Sequence, residues 1–188
     1  MPRIPYPDPQ SLPDDDREFL EDLPALNIYR LLAGCPSMFQ PLVRLFNSYL
    51  NHGLLTPRMR EMVILRTAHL RNSEYELVSH LRVARLLEMP DADIDALAPG
   101  ADAERLSREE RTVLQFVDEV VKDGGASKET FDAVAKFLTT AEMIELTAVI
   151  GVYTMVSQIC ATFEIKPEEV PIANTGLEEM RRCVEKLD

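Results

Sequence analysis

Glycine, cysteine and basic residues are all scarce in this chain. Only 7 of its 188 residues are glycine. Set against many Leu, Ala, Glu and Arg, that scarcity leans the fold towards helix. The three cysteines, Cys35, Cys160 and Cys183, lie far apart and form no C-x-x-C. Their odd number and spacing suggest neither a disulfide framework nor a zinc site. Lys and Arg number 20 against 32 Asp and Glu, a net charge of −12. A chain this acidic is a poor partner for nucleic acid or for an anionic membrane surface, since both demand a basic face. No apolar run approaches the roughly 18 residues that a bilayer span needs. The proline-rich N-terminus lacks the apolar core of a signal peptide. A soluble cytoplasmic protein is the expectation. The chain also has no Gly-rich phosphate loop, no Ser nucleophile elbow and no dinucleotide fingerprint.

What is present is a helical pattern. Hydrophobic residues make up 46% of the chain, enough for one domain with a real core. No stretch alternates with a strand period. Residues 1–16 read as an irregular arm, with prolines at 2, 5, 7, 9 and 13 and the run Asp14-Asp15-Asp16. Such an arm is either disordered or packed across a neighbouring subunit. A helical domain over 17–166 follows, then a linker and a C-terminal helix over 167–188. Helices are expected over about 24–33, 37–51, 57–71, 74–88, 91–97, 107–122, 128–137 and 140–163, with a tail helix over 177–187. Thr56 with Pro57 reads as a cap followed by a first helical position. Ser107 with Glu110 reads as a capping box. The fold class is all-α, a bundle of about eight helices.

Three groups able to carry protons sit close together in this pattern: Glu61, Glu76 and His80. Glu76 and His80 are four residues apart on one helix, which leaves them about 40° apart on one face. A carboxylate so placed can fix the tautomer of the imidazole and leave its other nitrogen to act as acid, base or ligand. Glu61 lies in the most apolar helix. Either it is buried and needs a partner, or it lies on that helix's polar edge with Arg60. A single His makes the cluster thin for zinc, so no metal is expected. Tyr75 beside the pair is a candidate substrate wall.

These residues resemble the carboxymuconolactone decarboxylase family, which includes the alkylhydroperoxidase D-like proteins. The resemblance runs over roughly residues 36–163. It rests on Leu55-Thr56-Pro57 leading to Arg60-Glu61-Met62-Val63-Ile64-Leu65-Arg66, and on Asn72-Ser73-Glu74-Tyr75-Glu76 with His80. Leu106 to Arg111, Phe116 to Glu119, and Glu145-Leu146 leading to Gly151-Val152-Tyr153 agree with it. The peroxidase branch of that family carries C-x-x-C-x-x-x-H after the cap, and a relay Glu on the preceding helix. Placing His80 on that His puts Ser73 and Glu76 at the two cysteine positions and Glu61 at the relay Glu. Serine cannot pass through sulfenic acid and disulfide states, so a thiol peroxidase is disfavoured.

The resemblance implies an alkylhydroperoxidase D-like bundle and a cofactor-free acid–base enzyme, a lyase acting on a small carboxylated or lactone substrate. His80 would be base or acid, Glu76 would orient it, and Glu61 would be a second proton carrier. Ser73, Tyr75 and Tyr153 would line the substrate. The alternative is a non-catalytic small-molecule binder or scaffold. Family members assemble as homo-oligomers, so a trimer, hexamer or dimer is expected.

Overall fold

A computed structural model describes residues 2–168. Among them are nine α-helices and no strand. They are α1 (Asp14–Glu21), α2 (Asn27–Leu32), α3 (Pro36–His52), α4 (Pro57–Arg71), α5 (Glu74–Leu86), α6 (Asp91–Asp95), α7 (Arg108–Asp123), α8 (Lys128–Val134) and α9 (Thr140–Phe163). Single 3-10 turns occupy Pro9–Ser11 and Gly100–Asp102. The expected tail helix and Cys183 lie outside the described residues. The chain divides into two compact units. One comprises the N-terminal chain up to His52 together with the chain from Thr162 onward, and the other is Gly53–Ala161.

In the first unit, the sequence reading of an irregular arm over 1–16 is corrected. Helix α1 already starts at Asp14, with Pro13 in extended backbone at its N-cap. Proline is compatible with a helix start, and three aspartates in a first turn complement the positive end of the helix dipole. Phe19 then packs edge-on against Phe39 with ring centroids 5.4 Å apart. The arm has partners within the chain. The Arg3 backbone N–H donates to the Phe163 carbonyl at 2.9 Å, and its guanidinium reaches Glu164 at 3.0 Å.

In the second unit, α4 is buried on nearly every side, from Arg60 to Ala68. It packs against α5 and α7. Met62 and Leu65 of α4 join Ala84 of α5, Ile94 of α6 and Leu114 of α7 in one apolar cluster. Both ends of α4 are pinned. At its start, Thr56 Oγ1 accepts from the Met59 N–H at 3.2 Å. The Glu145 carboxylate of α9 accepts from the N–H groups of Leu54 and Leu55 at 2.7 and 3.0 Å. At its end, Asn72 takes the left-handed conformation with φ 51°, and the Ser73 N–H returns to the Ala68 carbonyl at 3.0 Å. Asn tolerates that conformation and satisfies the last helical carbonyls. The turn is two residues long, so the start of α5 is set tightly by the end of α4.

Arg66 locks α4 to α7 and to the loop after α6. Its guanidinium holds Asp118 bidentately, at 2.6 and 2.7 Å, and donates to the Leu97 and Ala98 carbonyls. Burial pushes the Asp118 carboxyl upward, but the Arg66 and Lys122 cations outweigh it and hold its pKa below the usual value.

Helix α9 carries no charged residue from Leu146 to Phe163. By length and composition it is long and apolar enough to cross a bilayer, which the sequence reading denied of every segment. Its inward face nevertheless carries Leu146, Val149, Ile150, Tyr153, Ser157 and Cys160, all buried in the protein.

Candidate functional site

Three helices of the second unit supply the site. Glu61 comes from the middle of α4, and Glu76 and His80 from the first two turns of α5. Tyr153, Ser157 and Cys160 come from α9. Glu61 is fully buried, Glu76 is 3% exposed and His80 is 9% exposed. Of the two readings of Glu61, the buried one is therefore correct. The buried carboxylate lies between the Arg60 guanidinium and the His80 ring.

The three proton carriers meet. His80 Nδ1 lies 2.7 Å from Glu61 Oε2. On the other side of the ring, His80 Nε2 is 3.5 Å from Glu76 Oε2. Arg60 Nε stands 3.5 Å from Glu61 Oε1. The expected division of labour is thus corrected. Glu61, from the neighbouring helix, makes the short contact that orients His80. Glu76, one turn away on the same helix, makes the long one. An i,i+4 pair on a helix is held at whatever separation the backbone sets, whereas a cross-helix pair can close to hydrogen-bond length as the helices pack.

The electrostatics follow from this placement. Burial works to lower the pKa of His80, but the attraction of Glu61, its hydrogen bond and the nearby Glu76 together outweigh burial and Arg60. The pKa is held above the ordinary 6.5. When protonated, the ring can donate from Nδ1 to Glu61 and face Glu76 with Nε2–H. The Tyr153 ring stands edge-on to His80, centroids 4.9 Å apart at 86°, and seals that side. His69, further along α4, shifts the other way: burial and then Arg66 lower its pKa.

Ser73, Tyr75 and Tyr153 are all buried, at 5%, 4% and 5% exposure. Ser73 occupies the N-cap position of α5, yet its hydroxyl caps nothing. Its Oγ has no hydrogen-bond partner among the described residues, nor has Ser157 Oγ. Two functional candidates were not found from sequence. Cys160 Sγ lies 3.9 Å from Glu76 Oε1, within reach of a thiol hydrogen bond. Ser157 shares its helix face. Tyr153, Ser157 and Cys160 stand at i, i+4 and i+7, so helical periodicity counted from Tyr153 would have grouped them. Among the described residues, no group of three or more His, Cys, Asp and Glu side chains is placed to hold a metal ion.

No curated protein matches the chain. The model of the carboxymuconolactone decarboxylase family matches residues 36–119. The chain is similar in fold to an uncharacterized peroxidase-related protein of Ralstonia eutropha JMP134 with an alkylhydroperoxidase AhpD core. The identity is 22%, over 89% of this chain and 93% of that one, with a TM-score of 0.78. It is also similar to an uncharacterized peroxidase-related protein of Silicibacter sp. TM1040, at 17% identity over 89% and 91% of the two chains, with a TM-score of 0.76. The debrominase Bmp8, solved in complex with 2,3,4-tribromopyrrole, shares the fold at 13% identity over 93% and 90%, with a TM-score of 0.67. The chain therefore shares the all-helical AhpD-like fold, and over residues 36–119, the stretch that carries Glu61, Glu76 and His80, it is similar to the carboxymuconolactone decarboxylase family.

Proposed function

We propose that this protein is a cofactor-free acid–base enzyme, a lyase acting on a small carboxylated or lactone substrate. The observation that carries the reading is His80, buried with each ring nitrogen against a different carboxylate, at 2.7 and 3.5 Å. Loss of carbon dioxide from a carboxylated lactone leaves a dienolate. The reaction needs a positive group to stabilise that charge and a donor to return a proton to carbon. His80, whose pKa is raised by the two carboxylates, supplies the positive group in its protonated form. Glu61 keeps the ring oriented and balances its charge from behind. Glu76 carries the proton between the ring and the substrate, and Ser73, Tyr75 and Tyr153 form the walls. The enzyme works as a homo-oligomer of two, three or six copies.

The test is turnover of carboxymuconolactone and simple β-keto acids by the purified chain, with Glu76→Gln and His80→Ala beside it. The expected loss in kcat/KM is about 10²- to 10⁴-fold for each variant, the usual share of a positioned acid or base. Equal turnover in wild type and variants would remove these residues from the reaction.

A further inference from the structure

The acid–base reading gives no role to the Cys160 thiol or the Ser157 hydroxyl, and makes Ser73 no more than a wall. Cys160 is 4% exposed and its Sγ donates towards Glu76 Oε1 at 3.9 Å. The other oxygen of the same carboxylate faces His80 Nε2, whose ring is held in turn by Glu61. The contacts form one line, from thiol to carboxylate to imidazole to carboxylate, across three helices. A thiol at the end of such a line has a carboxylate beside it that can accept its proton. Ser157 is 3% exposed and Ser73 5%, and neither hydroxyl is hydrogen-bonded among the described residues. A buried hydroxyl without a partner is costly, and a ligand oxygen would satisfy it. Ser157 lies about 60° around the helix from Cys160 and about 40° from Tyr153. Its neighbours on that helix face, Cys160 and Tyr153, touch Glu76 and His80.

We propose that Cys160 is a nucleophilic thiol with Glu76 as its base, and that it takes small, neutral α,β-unsaturated carbonyl compounds by conjugate addition. The proposal rests on Glu76 as the proton carrier of the preceding section. Glu76 Oε1 accepts the thiol proton. An electron pair on sulfur forms the bond to the β-carbon, and the carbon–carbon π pair moves to give an enolate, whose oxygen the free hydroxyls can meet. Glu76 then returns the proton to the α-carbon. The sum is S–H added across C=C, with no net oxidation and no second reagent. Cys35, the other described cysteine, is exposed and belongs to the other unit, so the chemistry offered needs no resolving thiol. The electrophile is neutral because a carboxylate stands next to the attacking sulfur. It carries a carbonyl because the unpaired groups are hydroxyl donors.

The experiment is acrylamide labelling of the full-length chain, read by mass spectrometry at each cysteine. Cys160 is expected to add acrylamide in the folded protein, at a rate that Glu76→Gln lowers at least roughly tenfold, a small part of what a positioned base contributes. Glu76→Asp should recover part of that rate, and Cys35 labelling should be unchanged throughout. Should Glu76→Gln not fold, Ser157→Ala takes its place, with a several-fold slower addition expected. Labelling of Cys160 only after unfolding in urea would overturn the proposal. So would an equal or faster rate in Glu76→Gln, or in Ser157→Ala where that variant stands in. Labelling needs no turnover. A chain that adds acrylamide yet leaves the lactone untouched loses only the lyase reading, and the converse loses only this one.

Discussion

His80 sits between two carboxylates, and the sign of its pH dependence follows from that. Its pKa in the folded chain is raised above the ordinary 6.5 by Glu61 and Glu76 against the pull of burial. The folded state therefore binds this proton more tightly than the unfolded state. The stability it contributes is fully present below the unfolded value and is lost as pH rises through the folded one. His69 has the opposite sign, since burial and Arg66 lower its pKa. A proton NMR titration of the two rings is expected to place His80 above His69, with the ordinary value between them. Glu61→Gln should then bring His80 down, because desolvation is left with less to oppose it. A His80 that titrates below His69, or is indifferent to Glu61→Gln, would break the assignment. At this scale the residue types of the site were legible in sequence, because Glu61, Glu76 and His80 fall within twenty residues of each other. The identity of the orienting carboxylate was not, because helical spacing fixes Glu76 relative to His80 and says nothing of Glu61.

At the scale of elements, the site depends on α4 being held rigidly, and Arg66 is the clamp. A Cβ added at Gly100 would fall 2.4 Å from Arg66 Cζ, and Gly100 already has φ +78°. Gly124, at the end of α7, has φ +85° and nothing within 4 Å of its added Cβ. Both Gly→Ala changes incur the left-handed cost, about 1–2 kcal/mol. Only Gly100→Ala also displaces a buried guanidinium from Asp118 and two carbonyls. Urea denaturation should therefore show Gly100→Ala to be the more destabilising, and equal losses would mean that Arg66 adapts freely. Helix boundaries were legible where caps carry the signal. Thr56 with Pro57 and Ser107 with Glu110 set the starts of α4 and α7 as the sequence implies. Helix α1 was missed because its proline and aspartates read equally well as an arm or as a helix start. Helix α5 ends at Leu86 rather than 88, since Glu88 turns left-handed at φ 57°.

At the scale of the molecule, α9 has two different faces. The inward face carries the site residues, while Ile144 is 66% exposed and Thr147, Ala148, Gly151 and Gln158 face outward with it. A long outward strip without charge along α9 is what self-association would cover. We expect sedimentation equilibrium to give two, three or six times the chain mass of 21.3 kDa. We expect Ile144→Lys to lower that mass. A monomer at micromolar concentration would remove the oligomer from the proposed function. The sequence pointed to α9 as core or interface without separating them, because a helix with apolar residues all round has no amphipathic face to orient it.

The sequence by itself determined the helical class, the caps that start α4 and α7, and a cluster of two carboxylates and one imidazole within twenty residues. These are local properties, written in spacing and in the absence of sulfur at positions 73 and 76. Only the tertiary structure decided that Glu61 is buried, that it rather than Glu76 grips His80, and that Cys160 returns a thiol to the site from 84 residues away. Contacts between distant segments are set by how buried faces pack, and helical periodicity fixes a face without naming its partner.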